Sequence, residues 1–444
     1  MDASAVENTL REIAARAVEL GLHLGADQAE AAASQEEGLS VTVRLGEVES
    51  VERQRDRGLA VTVYKETRKG ATSTSDFSER GVEDAVRKAL SIASFTAQDP
   101  YAGLADAELM AKGEPPDLEL YFPSDLGVDA ATELALRAEN AARGFDPRID
   151  NSEGATAAAG EGLRIYANSH GFIGGYPTSN YSASCGVIAK GDGSLERDYW
   201  YTVARAFGDL DDPEQVGRRA AERAVSRLGA RQVKTKVVPV IFPAELARSL
   251  FGHLIAAIRG TSQYRKSTFL LDSIGKQIFP DFIEVEEDPF IPRGLASGAF
   301  DAEGVATRRR MLVERGVLQG YVLSSYSARR LGMQTTGNAG GAHNLVVKPT
   351  AGPLEELVAD CEEAFVVGEL LGQGVNPVTG DYSRGAAGYW VERGKIAYPV
   401  NEVTVAGNLV EIFGSIRAVG SDVDVRGGIR TGSVLVDKLT IAGQ

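Results

Sequence analysis

The spacing of apolar residues predicts a helix followed by strands at the start of the chain. Residues 3–24 repeat apolar side chains every three to four positions, as amphipathic helices do. From Leu39 to Leu45 the apolar period changes to two, which predicts a first strand. Further strands are expected over 47–54, 59–64 and about 69–76, and a polar turn is expected at 55–58.

A capping signal comes after these strands. Ser78 precedes a second amphipathic stretch and is placed to cap a helix over about 79–96. Residues 1–98 are therefore predicted to form an N-terminal α+β domain. Residues 99–120 combine prolines with acidic residues and are predicted to be a linker or a loop packed on the surface.

A second α+β domain is predicted over 121–232. Residues 125–143 have the period of a helix, and 149–207 hold short alternating runs that predict an antiparallel sheet with long strands. Asp212 and Pro213 have the pattern of a helix cap and a first helical position.

The last stretch, 237–444, is predicted to be a strand-rich, barrel-like C-terminal domain. Only one long helix is expected there, over 243–260, with shorter ones over 353–362 and 408–417. The 50 glycines of the chain concentrate here and in the middle unit, where tight turns between short strands need them. The fold class expected for the whole chain is α+β.

The charge and composition of the chain then argue against some classes of binding partner. The chain has 47 Lys and Arg against 62 Asp and Glu, so its net charge is −15. Such a chain is repelled by phosphate backbones and anionic bilayers, which argues against nucleic acid and membrane surfaces as main partners. The chain has no apolar run long enough to span a bilayer and no signal-peptide pattern at its start, so a cytoplasmic location is expected.

Metal-ligating residues are scarce. The two cysteines, Cys185 and Cys361, lie far apart and cannot form a disulfide framework or a four-cysteine zinc site. The four histidines are never followed by glutamate, and a zinc-protease helix of the HExxH kind needs that pair. No metal ligand or catalytic residue is therefore predicted in this chain. His253, among leucines and alanines, is expected to be a packed or edge histidine.

Polar clusters in the last domain each allow two interpretations. The glycine-rich string 337–344, with His343 and Asn344, lacks the lysine and hydroxyl residue of a phosphate-binding loop, so turns of a β domain are favoured. The loop 381–384 (Asp-Tyr-Ser-Arg) could grip a peptide or a partner, or could simply be a self-satisfied turn closed by Asp381. The acidic residues at 284–288 are expected to form a solvated face.

Two long strings resemble a known family. SSYSARRLGMQTTGNAGGAHNL and GQGVNPVTGDYSRGAAGYWVERGKIAYPVNEVTVAGNL are similar to signature strings of the PmbA (TldE) branch of the TldD/PmbA metallopeptidase family. FLLDSIGKQIFPD and FDAEGVATRRR agree with it. The resemblance covers essentially the whole chain.

The resemblance also implies where a metal site would lie. The TldD branch carries HExxxH on a helix early in the last domain, and the PmbA branch lacks it. In the corresponding helix, 243–260, the places of His, Glu and His are taken by Phe251, Gly252 and Ala256, none of which can bind zinc or act as a base. The cysteine expected late in TldD-type chains is missing too.

The resemblance implies a subunit role. The chain is expected to act in the cytoplasm with a TldD-like metallopeptidase subunit that carries the zinc and cleaves unfolded peptides, including microcin precursors and antitoxins. An extensive dimer interface is expected, with the TldD-like subunit in the cell, and whether a homodimer forms when the chain is produced alone is left open. His343, Asn344, Asp381, Tyr382 and Arg384 are the candidates for substrate or partner contact. The alternatives are a stand-alone homodimeric peptide-binding or regulatory protein and, third, an independent hydrolase or phosphate binder.

Overall fold

A single antiparallel sheet dominates the first half of the computed structural model, which describes residues 3–191 and 193–443. The strand order is β3-β2-β1-β4-β5-β6, so the central pair β1–β4 joins the two predicted α+β units. The elements are α1 Ala3–His23, β1 Gln28–Arg44, β2 Glu47–Lys65, β3 Arg68–Thr74, α2 Glu79–Phe95, α3 Val128–Arg143, β4 Ile149–Asn168, β5 Ile173–Gly191, β6 Ser194–Ala204 and α4 Pro213–Ser226.

The strands are longer than the sequence predicts. The predicted turn at 55–58 is wrong, because β2 runs through it and merges the strands expected over 47–54 and 59–64. The first eleven residues of β2, Glu47–Arg57, are exposed apart from the half-buried Ser50, so they carry no alternation of apolar and polar residues. A strand without a buried face gives no period-two signal.

The helix caps are confirmed. The Ser78 hydroxyl accepts the backbone N–H of Gly81 at 3.1 Å, and the Asp212 carboxylate accepts that of Glu214 at 2.9 Å. Each bond satisfies one of the N–H groups that a helix start leaves unpaired, which fixes where α2 and α4 begin.

All four helices lie against one face of this sheet. Strict alternation places Ala29, Ala31, Ala33, Val41 and Val43 of β1 on the same side, and all five are buried. The first three pack with α1 and α2, and the last two pack with α3 and α4. The opposite face carries small and polar residues, and none of the four helices packs on it.

The second half of the chain contains a closed barrel. Strands β14-β13-β12-β7-β17 are hydrogen-bonded in that order, and pairing of β14 with β17 closes the ring. The elements are β7 Lys236–Phe242, α5 Ala244–Ile258, α6 Gly260–Tyr264, β8 Val285–Asp288, β9 Arg310–Glu314, β10 Val317–Leu318, α7 Ser325–Leu331, β11 Asn344–Val347, α8 Leu354–Ala359, β12 Glu363–Leu371, β13 Asp381–Glu392, β14 Lys395–Asn408, α9 Leu409–Gly414, β15 Ile416–Val419, β16 Ile429–Arg430 and β17 Val434–Ala442.

The α+β class and the barrel-like C-terminal region are thereby confirmed, whereas the predicted domain boundaries stay predictions. A second sheet, β10-β9-β8-β11-β16, lies beside the barrel. Helix α5 contacts β7 and β12 of the barrel and β16 of this second sheet. Leu250, Phe251 and Leu254 are fully buried in the shared core, which holds α5 between the two sheets.

The acidic run 284–288 is not a solvated face, because most of it forms strand β8. Glu287 is 1% exposed and binds Arg310 Nε through one oxygen at 2.7 Å. Its other oxygen accepts Asn338 Nδ2 at 2.6 Å and the backbone N–H of His343 at 2.8 Å. A buried carboxylate with these partners fastens the glycine-rich string 337–344 to the sheet.

Candidate functional site

Helix α5, which the sequence resemblance aligns with the metal helix of the TldD branch, offers no metal ligands at the three matched positions. The Phe251 ring is fully buried, with its centroid 6.1 Å from that of Phe279, whereas Ala256 is exposed. A Cβ built on Gly252 would meet only the Ile429 Cδ1 atom, at 4.0 Å. These three positions therefore do not fit a zinc ion, which needs nitrogen, sulfur or carboxylate donors.

The rest of the described chain does not supply a substitute. Over residues 3–191 and 193–443, no group of three or more His, Cys, Asp or Glu side chains is placed to hold a metal ion. Both cysteines are buried, and burial raises the pKa of Cys185 to about 12, so this thiol is a packed side chain and not a thiolate ligand.

His343 and Asn344 lie at the start of β11 and support the backbone around them. The Asn344 side chain is fully buried and donates to the Asp288 carbonyl at 2.9 Å and to Ser297 Oγ at 2.7 Å. The His343 ring nitrogens lie 3.3 Å from the Ala296 carbonyl oxygen and 3.1 Å from that of Gly337. These contacts tie neighbouring loops together.

Asp381 closes its own turn. Its carboxylate accepts Thr379 Oγ1 at 2.6 Å and Asn408 Nδ2 at 3.2 Å, and Asn408 is its register partner on β14. The segment 381–384 is not a loop but the start of β13. The exposed Asp381 therefore makes the contacts expected of a structural turn residue.

Tyr382 and Arg384 differ from Asp381, because each has a buried polar atom without a hydrogen-bond partner among the described residues. They lie two residues apart on β13 and share one face of the strand. Tyr382 is 1% exposed, and its hydroxyl is one unpartnered atom; Arg384 Nε is another. Arg384 makes one side-chain hydrogen bond, from Nη2 to the Leu370 carbonyl at 3.3 Å, and no ion pair among the described carboxylates.

A third unpartnered atom comes from α5. The His253 and Tyr382 ring centroids lie 6.1 Å apart with an interplanar angle of 81°, and His253 Nε2 is also buried without a partner. The three side chains, His253, Tyr382 and Arg384, are called the donor cluster below. Buried polar atoms are almost always hydrogen-bonded, so three unpartnered ones in neighbouring side chains mark this place as unusual.

Burial and charge set the protonation state of the donor cluster. Burial lowers the pKa of His253, and the nearby Arg384 cation lowers it further, so the imidazole is neutral at pH 7. Burial raises the pKa of Tyr382 to about 12, with Arg384 opposing the shift. The donor cluster thus presents a cation, a phenol O–H and a neutral imidazole, a combination that suits a carboxylate or peptide carbonyl.

The helix-free face of the first sheet holds the second feature of interest, a hollow of about 360 Å³. Cross-strand neighbours on this face are small or polar, such as Gly38 opposite Gly160, and Gly160 opposite Asn180. Glu36, Glu52 and Asp56 add negative charge at one side. A neighbouring hollow of about 260 Å³ shares residues with the first and extends it to Phe300 and Asp301.

An arginine junction fixes α5 relative to the first sheet. Arg223 on α4 binds Asp198 on β6 at 3.0 Å and Glu245 in the first turn of α5 at 2.9 Å. Arg227 also reaches Asp198, at 3.3 Å. Asp198 is only 5% exposed in its side chain, so these contacts are largely shielded from water.

The structure thus brings only two of the five candidates, Tyr382 and Arg384, into one cluster; no hydrogen bond or ion pair of the described residues joins them to His343 or Asn344. Sequence reasoning missed His253, because an isolated histidine in an apolar helix gives no signal of its partners. The hint available in the sequence was the residue types of Tyr382 and Arg384, because the strand face that they share is seen only in the structure.

Comparisons with known proteins agree with this architecture. Three family models match in succession: PmbA/TldA metallopeptidase domain 1 over residues 29–93, the central domain over 121–228 and the C-terminal domain over 235–443. The chain is 48% identical to metalloprotease PmbA of Escherichia coli O157:H7 over 98% of this chain and 97% of that protein.

Solved structures share the fold over nearly their full length. A protein from Bacteroides thetaiotaomicron superposes with a TM-score of 0.93 at 28% identity and covers 98% of both chains. TldE from Thermococcus kodakarensis superposes with a TM-score of 0.85 at 21% identity over 97% of this chain and 99% of that one, which shows the shared fold alone.

The chain therefore belongs to the TldD/PmbA metallopeptidase family, and within it to the PmbA branch. The resemblance stated from the sequence is thereby confirmed. In the described part of the chain, no helix is long and apolar enough to cross a membrane.

Proposed function

We propose that this chain is the subunit without metal of a cytoplasmic TldD/TldE-type metallopeptidase complex. A TldD-like chain supplies the zinc and the water-activating chemistry. The complex degrades or processes unfolded peptides, with microcin precursors and antitoxins as the proposed substrates. The observation that carries the proposal is that α5 has phenylalanine, glycine and alanine at the three positions that the sequence resemblance aligns with the metal-binding motif of the TldD branch.

The role of this chain in the complex is to hold the substrate. The donor cluster joins His253 of the same helix, α5, to two residues of β13. Its unpartnered atoms favour a group that accepts hydrogen bonds, which every peptide carries in its carbonyls and its terminal carboxylate. Arg384 favours a carboxylate in particular, since no described carboxylate neutralises it. The hollows on the helix-free sheet face are a separate place with room for part of an extended peptide.

Reconstitution tests the proposal. The chain is purified alone, a TldD-like chain with an HExxxH helix is purified alone, and the two are then mixed with an unfolded peptide. Cleavage is expected from the mixture and not from this chain, and a zinc chelator stops it. Chelator-resistant cleavage by this chain alone overturns the proposal and favours an independent hydrolase.

A second outcome of the reconstitution distinguishes the proposed subunit from a stand-alone peptide-binding protein. If the TldD-like chain neither binds this chain nor gains activity from it, while this chain still binds peptides, then a homodimeric peptide-binding protein without catalysis is the better description. Isothermal titration with a peptide and analytical ultracentrifugation of the two chains together distinguish these cases.

A further inference from the structure

A hollow of about 260 Å³ lies beside the arginine junction, where strand β6 of the first sheet meets the C-terminal region. It is lined by residues 197–201 of β6, residues 368–370 of β12 and Arg248 of α5, together with the junction itself. This space is called the junction hollow below. Typical small-molecule pockets measure about 300–1,000 Å³, so the junction hollow suits a single amino-acid residue better than a long peptide.

All three carboxylates that line the junction hollow already bind an arginine. The pairs are Asp198 with Arg223 at 3.0 Å, Glu245 with Arg223 at 2.9 Å and Glu369 with Arg227 at 2.7 Å. Arg197 pairs with Glu153, outside the hollow, at 3.4 Å. The described carboxylates of the hollow are therefore not available to a further cation.

Arg248 is that further cation. Within the described chain, no hydrogen bond or ion pair involves its guanidinium group. Asp424 is close enough for its pKa to respond: burial raises it, but hydrogen bonds from Arg426 and the charge of Arg248 lower it below its ordinary value. Both Asp424 oxygens bind Arg426, at 3.0 Å each, so this carboxylate is already neutralised.

The Arg248 side chain is also held in place. It is half-buried, and a Cβ built on Gly427 would lie 3.3 Å from Arg248 Nη1. The guanidinium group therefore packs close to the backbone of the loop between β15 and β16. A cation that is fixed before a ligand arrives loses less conformational entropy when it binds an anion.

Aromatic side chains form another wall of the junction hollow. The Tyr199 and Tyr201 rings are stacked, with centroids 6.4 Å apart and an interplanar angle of 22°, and Tyr199 is 52% exposed. Between them in the chain, the Trp200 ring has the Arg426 guanidinium carbon 4.1 Å from its centroid. Exposed ring surface beside an unpaired guanidinium group favours a ligand that has both an apolar body and a negative charge.

We propose that the junction hollow binds a carboxylate carried on an aromatic or apolar body. Arg248 pairs with the carboxylate, and Tyr199 and Tyr201 contact the body. The net charge of −15 repels anions from the chain as a whole, so binding of a carboxylate depends on this local cation. A peptide supplies such a group either at its C-terminus or in an acidic side chain next to an apolar one.

The junction hollow adjoins the donor cluster. Leu370 lines the hollow, and its carbonyl oxygen accepts the hydrogen bond from Arg384 Nη2. A peptide held by the donor cluster therefore has a second binding site within reach. The peptide origin of the ligand rests on the proposed function, whereas the carboxylate site itself is measurable on this chain alone.

Blocked amino acids test the site without peptidase activity. N-acetylphenylalanine and N-acetylphenylalanine amide differ in charge, and ligand-observed NMR titration of the purified chain gives the dissociation constant of each. The wild type should bind the acid at least about tenfold more tightly than the amide. Arg248→Gln should abolish this preference, and Arg248→Lys should keep part of it, because the charge remains while the planar fork is lost.

A third probe distinguishes the two peptide sources of the carboxylate. N-acetyl-aspartyl-phenylalanine amide has a blocked C-terminus and carries its only carboxylate on a side chain. If it binds more tightly than N-acetylphenylalanine, the site selects acidic side chains. If it binds more weakly but still more tightly than N-acetylphenylalanine amide, the site selects the C-terminal carboxylate.

Arg218→Gln is the matched control. Arg218 is an exposed arginine of α4 that pairs with Glu214, so the variant loses the same charge outside the hollow and should keep the preference for the acid. The melting temperature of Arg248→Gln should stay within about two degrees of the wild type's, because the side chain that is lost has no described partner.

Equal affinity of the wild type for the acid and the amide overturns the proposal. A preference that Arg248→Gln retains, or that Arg218→Gln also loses, overturns it as well, because the preference then does not come from Arg248. If the site behaves as expected but the chain gives no cleavage with a TldD-like chain, the carboxylate site is supported and only the proposed function is contradicted.

Discussion

The rings of His253 and Tyr382 lie nearly perpendicular, with their centroids 6.1 Å apart, and join helix α5 to barrel strand β13. The pair places two unpartnered polar atoms beside the unpaired Arg384 cation. Where α5 packs against β13, the described chain therefore has a set of hydrogen-bonding side chains and no set of metal ligands.

Replacing Tyr382 by Phe should show whether the Tyr382 hydroxyl contributes to folding stability or to substrate binding. The hydroxyl that is removed has no partner among the described residues, and a buried unpaired hydroxyl costs about 1–3 kcal/mol. The variant should therefore unfold in urea with a free energy equal to the wild type's or about 1 kcal/mol higher. If the hydroxyl binds substrate, the kcat/KM of the reconstituted complex should fall about tenfold, the equivalent of one hydrogen bond.

Tyr389→Phe is the matched control, on the same strand. Its hydroxyl shares a 2.6 Å hydrogen bond with Ser226 Oγ, so its loss should lower the unfolding free energy by about 1 kcal/mol and leave peptide cleavage unchanged. An unchanged cleavage rate per folded complex in Tyr382→Phe would show that the donor cluster does not touch substrate.

His253 should remain neutral at physiological pH. Burial and the Arg384 charge lower its pKa from 6.5, so its NMR titration midpoint should lie below 6.5 and should rise in Arg384→Gln. The unfolded state binds the proton more tightly, so the contribution of His253 to stability is complete above pH 6.5 and is lost as pH falls through the lowered pKa. A midpoint at or above 6.5, assigned with His253→Gln, contradicts the burial of this ring.

Removing Arg223 from the arginine junction should lower the free energy of unfolding more than removing another arginine of α4. Arg223→Ala leaves the buried Asp198 with Arg227 alone and releases Glu245, so a loss of about 3 kcal/mol is expected. Arg218→Ala on the same helix removes an exposed pair with Glu214 and should cost less than about 0.5 kcal/mol. Urea unfolding of both variants makes the comparison, and equal losses would show that the junction is not stabilising.

Asp301 should make stability fall as pH rises. Burial raises its pKa to about 7, although the backbone N–H groups of Ala339, Glu303 and Val305 oppose the shift. The folded state therefore binds this proton more tightly than the unfolded state, and the stabilisation present at about pH 4 is lost as pH rises towards 7.

Asp301→Asn removes this titration. The stability of the wild type relative to the variant should decline between pH 5 and pH 7.5, by at most about 1.4 kcal/mol per pH unit. Chemical unfolding of both proteins across that range gives the difference directly. Parallel stability curves would contradict the raised pKa of Asp301.

The sequence predicts helices and caps better than long-range pairing. Ser78 and Asp212 signal α2 and α4 because a cap is a local interaction within three residues. The β1–β4 pairing that unites two predicted units is not local, and its alanines and glycines carry no strong strand preference. The exposed charged residues along the edge of β2 give no alternating pattern, so part of that strand has the sequence pattern of a turn.

The candidate site was predictable only in part. Tyr382 and Arg384 are candidates by their residue types, but their segment has the sequence pattern of a loop, and Asp381 beside them makes only local contacts. The place of His253 in the donor cluster depends on how α5 packs against the barrel. That packing is a tertiary arrangement that no spacing within the sequence encodes.

The most direct test of the proposed subunit role is zinc content measured together with peptide cleavage, for this chain, for a TldD-like chain and for their complex. This chain alone should contain less than about 0.1 zinc per molecule after dialysis, because its described residues offer no matched set of ligands. Cleavage should require the TldD-like chain, and the complex should contain about one zinc per pair. One tightly bound zinc per molecule of this chain, or cleavage by this chain alone, would contradict the account.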